Sequence, residues 1–282
     1  MDSSQYKQHE LASWTRVAGG WAKHTPAIGK LFGPVTERMF ELVGLRERQR
    51  VLDIASGAGD PGIPAAQRVG RFGRVWGIDF VPAMVDFANE RVRELDLGNV
   101  EFQLADGENF QVPGNIFDVC TMRWGLMFMP DPLAALNTAR VALKEGGRIV
   151  LTCWAGPDRN PWAAIPMAHI KRYVDVPAPA PGATGIFAFA DRDRILSVMR
   201  EAGFRDVTVE AFDLTAADAA TGQEYFTMVR EIAGPVASLI AGLSAETQAK
   251  LSAEIALAAE QASTTPGRVT LPGVTWIATG TH

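Results

Sequence analysis

The chain is 282 residues long, 47% hydrophobic and 21% charged, which suits a globular protein of one elaborated domain or two small ones. Its formal net charge of −5 argues against a nucleic-acid partner, whose footprint would be a basic patch. Two cysteines, Cys120 and Cys153, stand in apolar runs, which predicts buried free thiols rather than a disulfide or a zinc site.

The opening MDSSQYKQHE is polar and lacks the apolar core of a signal peptide. No run reaches the ~18–20 apolar residues of a membrane span, so a cytoplasmic protein is expected. Residues 4–23 read as a helix, with Leu11, Trp14, Val17, Ala18 and Trp21 recurring at threes and fours. The Gly19-Gly20 pair weakens that pattern. A second helix is expected over residues 35–43, with Gly44 as its C-cap.

From Arg50 the pattern becomes strand, loop, helix, repeated. Strands are predicted at 50–55, 74–78, 100–104, 117–122 and 148–154, with helices near 61–69, 83–95 and 133–143. Gly146-Gly147 is expected to turn the chain into the fifth strand. Near-continuous apolar strands alternating with helices predict an α/β fold, a Rossmann-like doubly wound and mostly parallel sheet. Beyond Trp154 a helix is expected within 158–176, then the Pro/Gly-rich connection VPAPAPGATG, which no helix could cross. A helix at 191–203, a strand at 204–214, further helices over 221–262 and a strand at 268–280 complete the chain. Pro272 is expected to push the start of that last strand towards an edge.

The stretch GAGDPG, Gly57 to Gly62, matches the G-x-G-x-x-G of a dinucleotide turn. A diphosphate would sit at the positive end of the following helix. Yet Asp60 is expected there as N-cap, with Pro61 as the first helical residue. Asp53, four residues before Gly57, stands in an apolar strand where its charge needs a partner. A ligand ammonium would serve, which points to S-adenosylmethionine rather than a dinucleotide. Asp79 ends the second strand, 20 residues after Gly59, where a carboxylate can accept ribose hydroxyls in either class of enzyme. Asp106 follows the third strand, placed to take the exocyclic amine of adenine.

In order, RVLDIASGAGDPG, VWGIDF, LADGENF, FDVCTM and ALKEGGRIVL resemble the successive motifs of class I S-adenosylmethionine-dependent methyltransferases. The subgroup resembled is that of the ubiquinone/menaquinone-biosynthesis C-methyltransferases and their small-molecule relatives, over roughly residues 50–154. One departure is Ala55, where the family pattern has its first glycine. The resemblance implies that Asp53, Gly57 and Gly59 hold the methionine part of the cofactor, with backbone contacts from Ala55 and Ser56. It implies that Asp79 binds the ribose, Phe80 and Met84 lie beside the adenine, and Asp106, Gly107 and Glu108 lie at its edge. Arg123 and Trp124 would border the methyl-transfer site. Phe80 and Met84 could equally be core residues, and Glu108 a solvated carboxylate.

Three segments follow: N-terminal helices (1–48), a cofactor-binding core (49–155), and cap helices with the final strands (156–282). The first and last carry Trp14, Trp21, Trp162, Tyr173, Phe187, Phe189, Phe226 and Met228, walls suited to an aromatic or apolar small-molecule acceptor, or simply core. In-line methyl transfer asks mainly for alignment and exclusion of water. A base is needed only if the acceptor must lose a proton, and His24 and His169 are the candidates. Transfer to oxygen or carbon is expected ahead of nitrogen or sulfur, with no metal, and a homodimer is left open. The rivals are an NAD(P)-dependent oxidoreductase using GAGDPG and a non-catalytic cofactor-binding protein.

Overall fold

The computed structural model of the protein describes residues 3–111, 114–178, 180 and 182–282. Met1 and Asp2 of the polar opening, and Pro179 and Pro181 of the Pro/Gly-rich connection, lie outside them. In chain order the elements are α1 (Ser3–Val43), β1 (Arg50–Ile54), α2 (Gly62–Val69), β2 (Arg74–Asp79), α3 (Pro82–Glu94), β3 (Val100–Leu104) and β4 (Phe117–Arg123). There follow α4 (Pro132–Ala142), β5 (Leu143–Trp154), α5 (Pro161–Ile170), α6 (Arg192–Glu201) and β6 (Arg205–Ala219). The chain ends with α7 (Gly222–Ile232), α8 (Gly234–Ala241), α9 (Ala245–Gln261) and β7 (Val269–Thr281).

Among the described residues the strands form a seven-stranded sheet in the order β3-β2-β1-β4-β5-β7-β6. The pairs from β3 through β5 are parallel, and β7 runs antiparallel to β5. Val51, Leu52, Asp53 and Ile54 are all fully buried. Successive strand residues face opposite sides, so this run shows that both faces of β1 are covered.

By contact the chain forms two compact units. The first holds the chain up to Gly33, Ala155–Ala183 and Asp213–Val274; the second holds Pro34–Trp154, Thr184–Phe212 and Thr275–His282. In the first, Tyr225, Phe226, Leu251, Ile255 and Leu271 form a core against which Trp162 and Tyr173 pack. Burying each such large side chain stabilises by about 1.5–3 kcal/mol. In the second, the buried strand residues are joined by Val35, Met39 and Phe40 of α1 and by Ala135, Leu136 and Ala139 of α4.

Three expectations are corrected. The two N-terminal helices are one, running through Gly19-Gly20. A Cβ at Gly20 would lie 1.9 Å from the Glu231 carbonyl oxygen, so this glycine serves a close approach of α7 rather than a break. Second, β5 begins at Leu143, and Gly146-Gly147 lie within it, Gly146 at φ 73°. The β4–β5 register shifts between Phe117 and Val119, which absorbs the irregularity. Third, β7 lies between β5 and β6 rather than at an edge. Pro272 is tolerated because it precedes the stretch paired with β5, Thr275 to Thr281.

The adjacent glycines should respond oppositely. Gly20→Ala drives a methyl into backbone and should lower the melting temperature. Gly19→Ala meets open space and should raise stability by about 1 kcal/mol in a denaturant titration.

Candidate functional site

The carboxyl ends of β1 to β4 share one edge of the sheet, and the strand order reverses between β1 and β4. Open α/β sheets take their ligands at such a reversal. Leaving β1, the chain turns through three left-handed residues: Ala55 (φ 57°), Gly57 (φ 51°) and Gly59 (φ 102°). The Ser56 N–H donates to the Ile78 carbonyl at 3.0 Å. The Gly57 N–H donates to Asp79 Oδ2 at 2.8 Å. Both bonds pin the turn to the end of β2.

Asp79 Oδ1 in turn accepts the Val81 N–H at 2.9 Å. Burial pushes the Asp79 carboxyl up, against the pull of the Val81, Gly57 and Phe80 N–H groups. With these three N–H groups shared between its two oxygens, the carboxylate keeps room for a further donor. Phe80 is half-buried beside it, whereas Met84 is a core side chain, 3% exposed.

Asp53 lies beneath the turn with no exposure. The partner expected from a ligand is supplied partly by the protein. Its Oδ1 accepts the Thr121 hydroxyl at 2.7 Å, from the residue paired with it across β1 and β4. Burial pushes its pKa up to about 7, against the Thr121 bond, the Arg123 charge and the Gly62 backbone. Asp53 Oδ2 and the Ser56 hydroxyl are buried without a hydrogen-bond partner.

Asp60 is not the N-cap it was expected to be. The peptide bond before Pro61 is cis, Pro61 itself holds the cap position of α2, and no side chain caps it. The Asp60 carboxylate instead meets Arg91 Nη2 at 3.4 Å, and the Arg91 guanidinium also donates to the Ala58 carbonyl. The Asp60 carboxylate therefore does not occupy the N-terminus of α2.

Arg123 Nη1 donates to the Thr36 hydroxyl at 2.8 Å and Nη2 to the Asp60 carbonyl at 3.4 Å. Burial pulls its pKa down, and the Asp60 and Asp53 charges oppose that pull. Trp124, the next residue, has φ 57° and stacks on Trp154 with centroids 4.5 Å apart.

After β3, Asp106 Oδ1 accepts the Glu108 N–H at 3.0 Å. A Cβ at Gly107 would meet Ile54 Cγ2 at 2.8 Å, so the loop lies close on β1. Glu108 is more than a solvated carboxylate: its Oε1 accepts the Asp131 N–H at 2.8 Å, at the start of α4. The Ala105 N–H bonds the Asp79 carbonyl, setting the ends of β2 and β3 side by side.

The histidine candidates lie in the first unit. His24 Nε2 pairs with Glu231 Oε2 at 2.5 Å, and Lys23 joins the same carboxylate. Lys23 and His24 together hold Glu231 below the usual carboxylate range. His169 Nδ1 bonds the Ile165 carbonyl of its own helix at 2.9 Å. Phe226 and Phe189 are core side chains, each 1% exposed, and so leave the set of acceptor walls. Both cysteines are buried free thiols, as expected, and burial pushes them up. Among the described residues no group of His, Cys, Asp and Glu could hold a metal ion, and no helix is long and apolar enough to cross a membrane.

Residues that the sequence reading missed are Thr36, Arg91, Thr121 and Gly125. A Cβ at Gly125 would come within 2.5 Å of the Ala55 methyl. The methyl that replaces the usual glycine is therefore accommodated by a missing side chain on β4's exit. None of them carries a local sequence signal: Thr121 and Gly125 matter through the apposition of β1 and β4, Thr36 through Arg123, and Arg91 through Asp60 and Ala58.

Two outcomes follow from this packing. Gly125→Ala should cost about 1–3 kcal/mol by overpacking, and adding Ala55→Gly should recover most of it in thermal melts. The Asp53 value lies above its ordinary 3.8, so folding favours the neutral form. Its ionisation penalty grows as pH rises from 3.8 to about 7. Asp53→Asn should accordingly gain stability relative to the wild type over that window, and a constant difference would deny the burial effect.

A family model described as Methyltransferase domain matches residues 45–172, which contain the turn and every strand-end residue above. The nocamycin O-methyltransferase of Saccharothrix syringae is 35% identical over 192 residues, 63% of this chain and 67% of the relative. The ubiquinone/menaquinone biosynthesis C-methyltransferase UbiE of Pseudomonas putida strain KT2440 is 33% identical over 178 residues, 60% of this chain and 70% of the relative. Among solved structures, a SAM dependent methyltransferase from Aquifex aeolicus aligns with TM-score 0.52 and 22% identity, covering 76% of this chain and 93% of its own. That likeness shows the fold, and the sequence relatives show the family. The chain belongs to the class I S-adenosylmethionine-dependent methyltransferases that act on small molecules.

Proposed function

We propose that this methyltransferase moves the methyl group to an oxygen or carbon atom of a small aromatic or otherwise apolar acceptor. The observation that carries the cofactor side is the Asp79 carboxylate at the end of β2, holding the glycine turn while keeping acceptor capacity for a further donor. The relatives support both acceptor atoms, since one is named an O-methyltransferase and the other a C-methyltransferase. Membership of the family sets aside the nicotinamide-dinucleotide reading of GAGDPG.

The donor set fits S-adenosylmethionine. Asp79 would bind the ribose, with Phe80 beside the adenine and Asp106 and Gly107 at its edge. Gly57 and Gly59 would leave room for the methionine tail, with Ala55 and Ser56 contributing backbone. The unpartnered Ser56 hydroxyl and Asp53 Oδ2 are the buried polar atoms closest in sequence to that tail. Asp53 would act from beneath the turn, its negative charge favouring an ammonium above it.

When bound, the cofactor supplies a methyl group already activated on a sulfonium. The protein's own work is then to orient the acceptor and exclude water. Arg123, tied to Thr36 and the Asp60 carbonyl, would fix the exit of β4, and Trp124 would border the transfer site. No base is assigned, since His24 and His169 are engaged with Glu231 and a helix carbonyl. The net charge of −5 supports a small-molecule rather than a nucleic-acid partner.

Asp79→Ala should weaken S-adenosylhomocysteine binding by about 10- to 100-fold in isothermal titration, as expected for lost hydrogen bonds to a charged group. Unchanged affinity would place the ribose elsewhere. Methyl-labelled S-adenosylmethionine offered with a panel of phenols, enols and hydroquinones should label at least one of them. Binding without turnover on any of them would favour the non-catalytic alternative.

A further inference from the structure

Trp124 is held in a conformation that its own residue type resists. A bulky side chain at φ 57° is an outlier, and such backbones persist only where the surroundings over-determine them. The restraints here come from two other strands. The Trp124 N–H donates to both the carbonyl and the hydroxyl of Thr152, at 3.1 and 3.0 Å. Its indole lies parallel to Trp154 of β5, interplanar angle 7°. Its Nε1 donates to Thr275 Oγ1 of β7 at 3.0 Å, and that hydroxyl donates onward to the Cys153 carbonyl at 2.9 Å.

Thr152 and Thr275 are both fully buried, so each hydroxyl is there to satisfy these partners rather than solvent. Thr275 stands opposite Trp154 in the β5–β7 register. A single hydroxyl of the antiparallel strand thus fixes the polar end of the indole, while the strand beside it fixes the ring plane. Only a side chain that can both accept from an indole N–H and donate to a carbonyl fits that place. Valine has the shape of threonine but neither capacity.

We infer that Thr275 is a positioning residue of the methyl-transfer site, acting through the indole of Trp124. This rests on the reading above that Trp124 borders the transferred methyl. The last strand is then a part of the acceptor-side machinery as well as an inner strand of the sheet. Its hydroxyl sets the angle at which the Trp124 ring meets an acceptor.

The test compares Thr275→Val, Thr275→Ser and Trp124→Ala in the full chain. Three readouts are used: the circular-dichroism exciton couplet of the stacked indoles, S-adenosylhomocysteine affinity, and turnover of the fastest acceptor in the phenol and enol panel. Thr275→Val should lose or reshape the couplet and lower kcat by about 10- to 100-fold, as misplacement of a positioning group does, with cofactor affinity unchanged. Thr275→Ser should keep both signals. A wild-type couplet and kcat in Thr275→Val would overturn the inference. So would a loss of kcat matched by an equal loss of cofactor affinity. If Thr275→Val does not fold, Thr275→Ala removes the same hydroxyl without placing a methyl against the carbonyl it bonded, and the couplet alone decides the positioning. Trp124→Ala separates the two levels. Normal turnover there would remove Trp124 from the site, whereas slow turnover there beside normal turnover in Thr275→Val would sink only the role of Thr275.

Discussion

The carboxylate of Asp79 is the constraint from which the site is built. A turn with left-handed residues at Ala55, Gly57 and Gly59 leaves backbone N–H groups pointing away from any regular ladder. One of them, from Gly57, is tied to Asp79 across the ends of β1 and β2. The bond sets where the turn lies and gives the buried carboxylate part of the stabilisation that its charge requires. The same two oxygens that hold the loop are those that would meet the ribose in the role proposed above, so a side chain without acceptor capacity would loosen the loop.

Behind the turn, charge balance is internal. Asp53 and Asp60 flank Arg123, and Arg91 reaches Asp60 from α3. Removing one member would leave another buried and uncompensated, which is why such groups act as a set. Thr36 brings α1 into that set through Arg123. The long N-terminal helix therefore contributes a hydroxyl to the floor of the site as well as apolar packing from Val35, Met39 and Phe40.

Around the exit of β4 the restraint is steric as much as polar. Ala55 and Trp124 both hold left-handed backbones at neighbouring strand ends, and Gly125 leaves the space into which the Ala55 methyl projects. The Ala55 methyl is thus sterically coupled to the missing side chain at Gly125, and the neighbouring Trp124 ring is stacked on Trp154.

The alternation of apolar strands, glycine turns and helices was legible in residues 50–154, because each element there satisfies its own periodicity and both sheet faces are buried. The places of Asp53, Asp79 and Asp106, on or just past their strands, were legible as well, because the apolar runs before them mark those strands. The single helix through Gly19-Gly20 was not, because the reason for Gly20 lies in the backbone of Glu231, far along the chain. Nor was the place of Asp60, whose carboxylate is directed by Arg91 rather than by the local cap pattern. Local propensity and spacing are properties of neighbours in sequence, and by themselves they determined the sheet, the turn and the acidic strand ends. Which carboxylate meets which cation, which glycine yields space to which methyl, and which hydroxyl holds Trp124 depend on strands distant in the chain being laid side by side. Only the tertiary structure decides those.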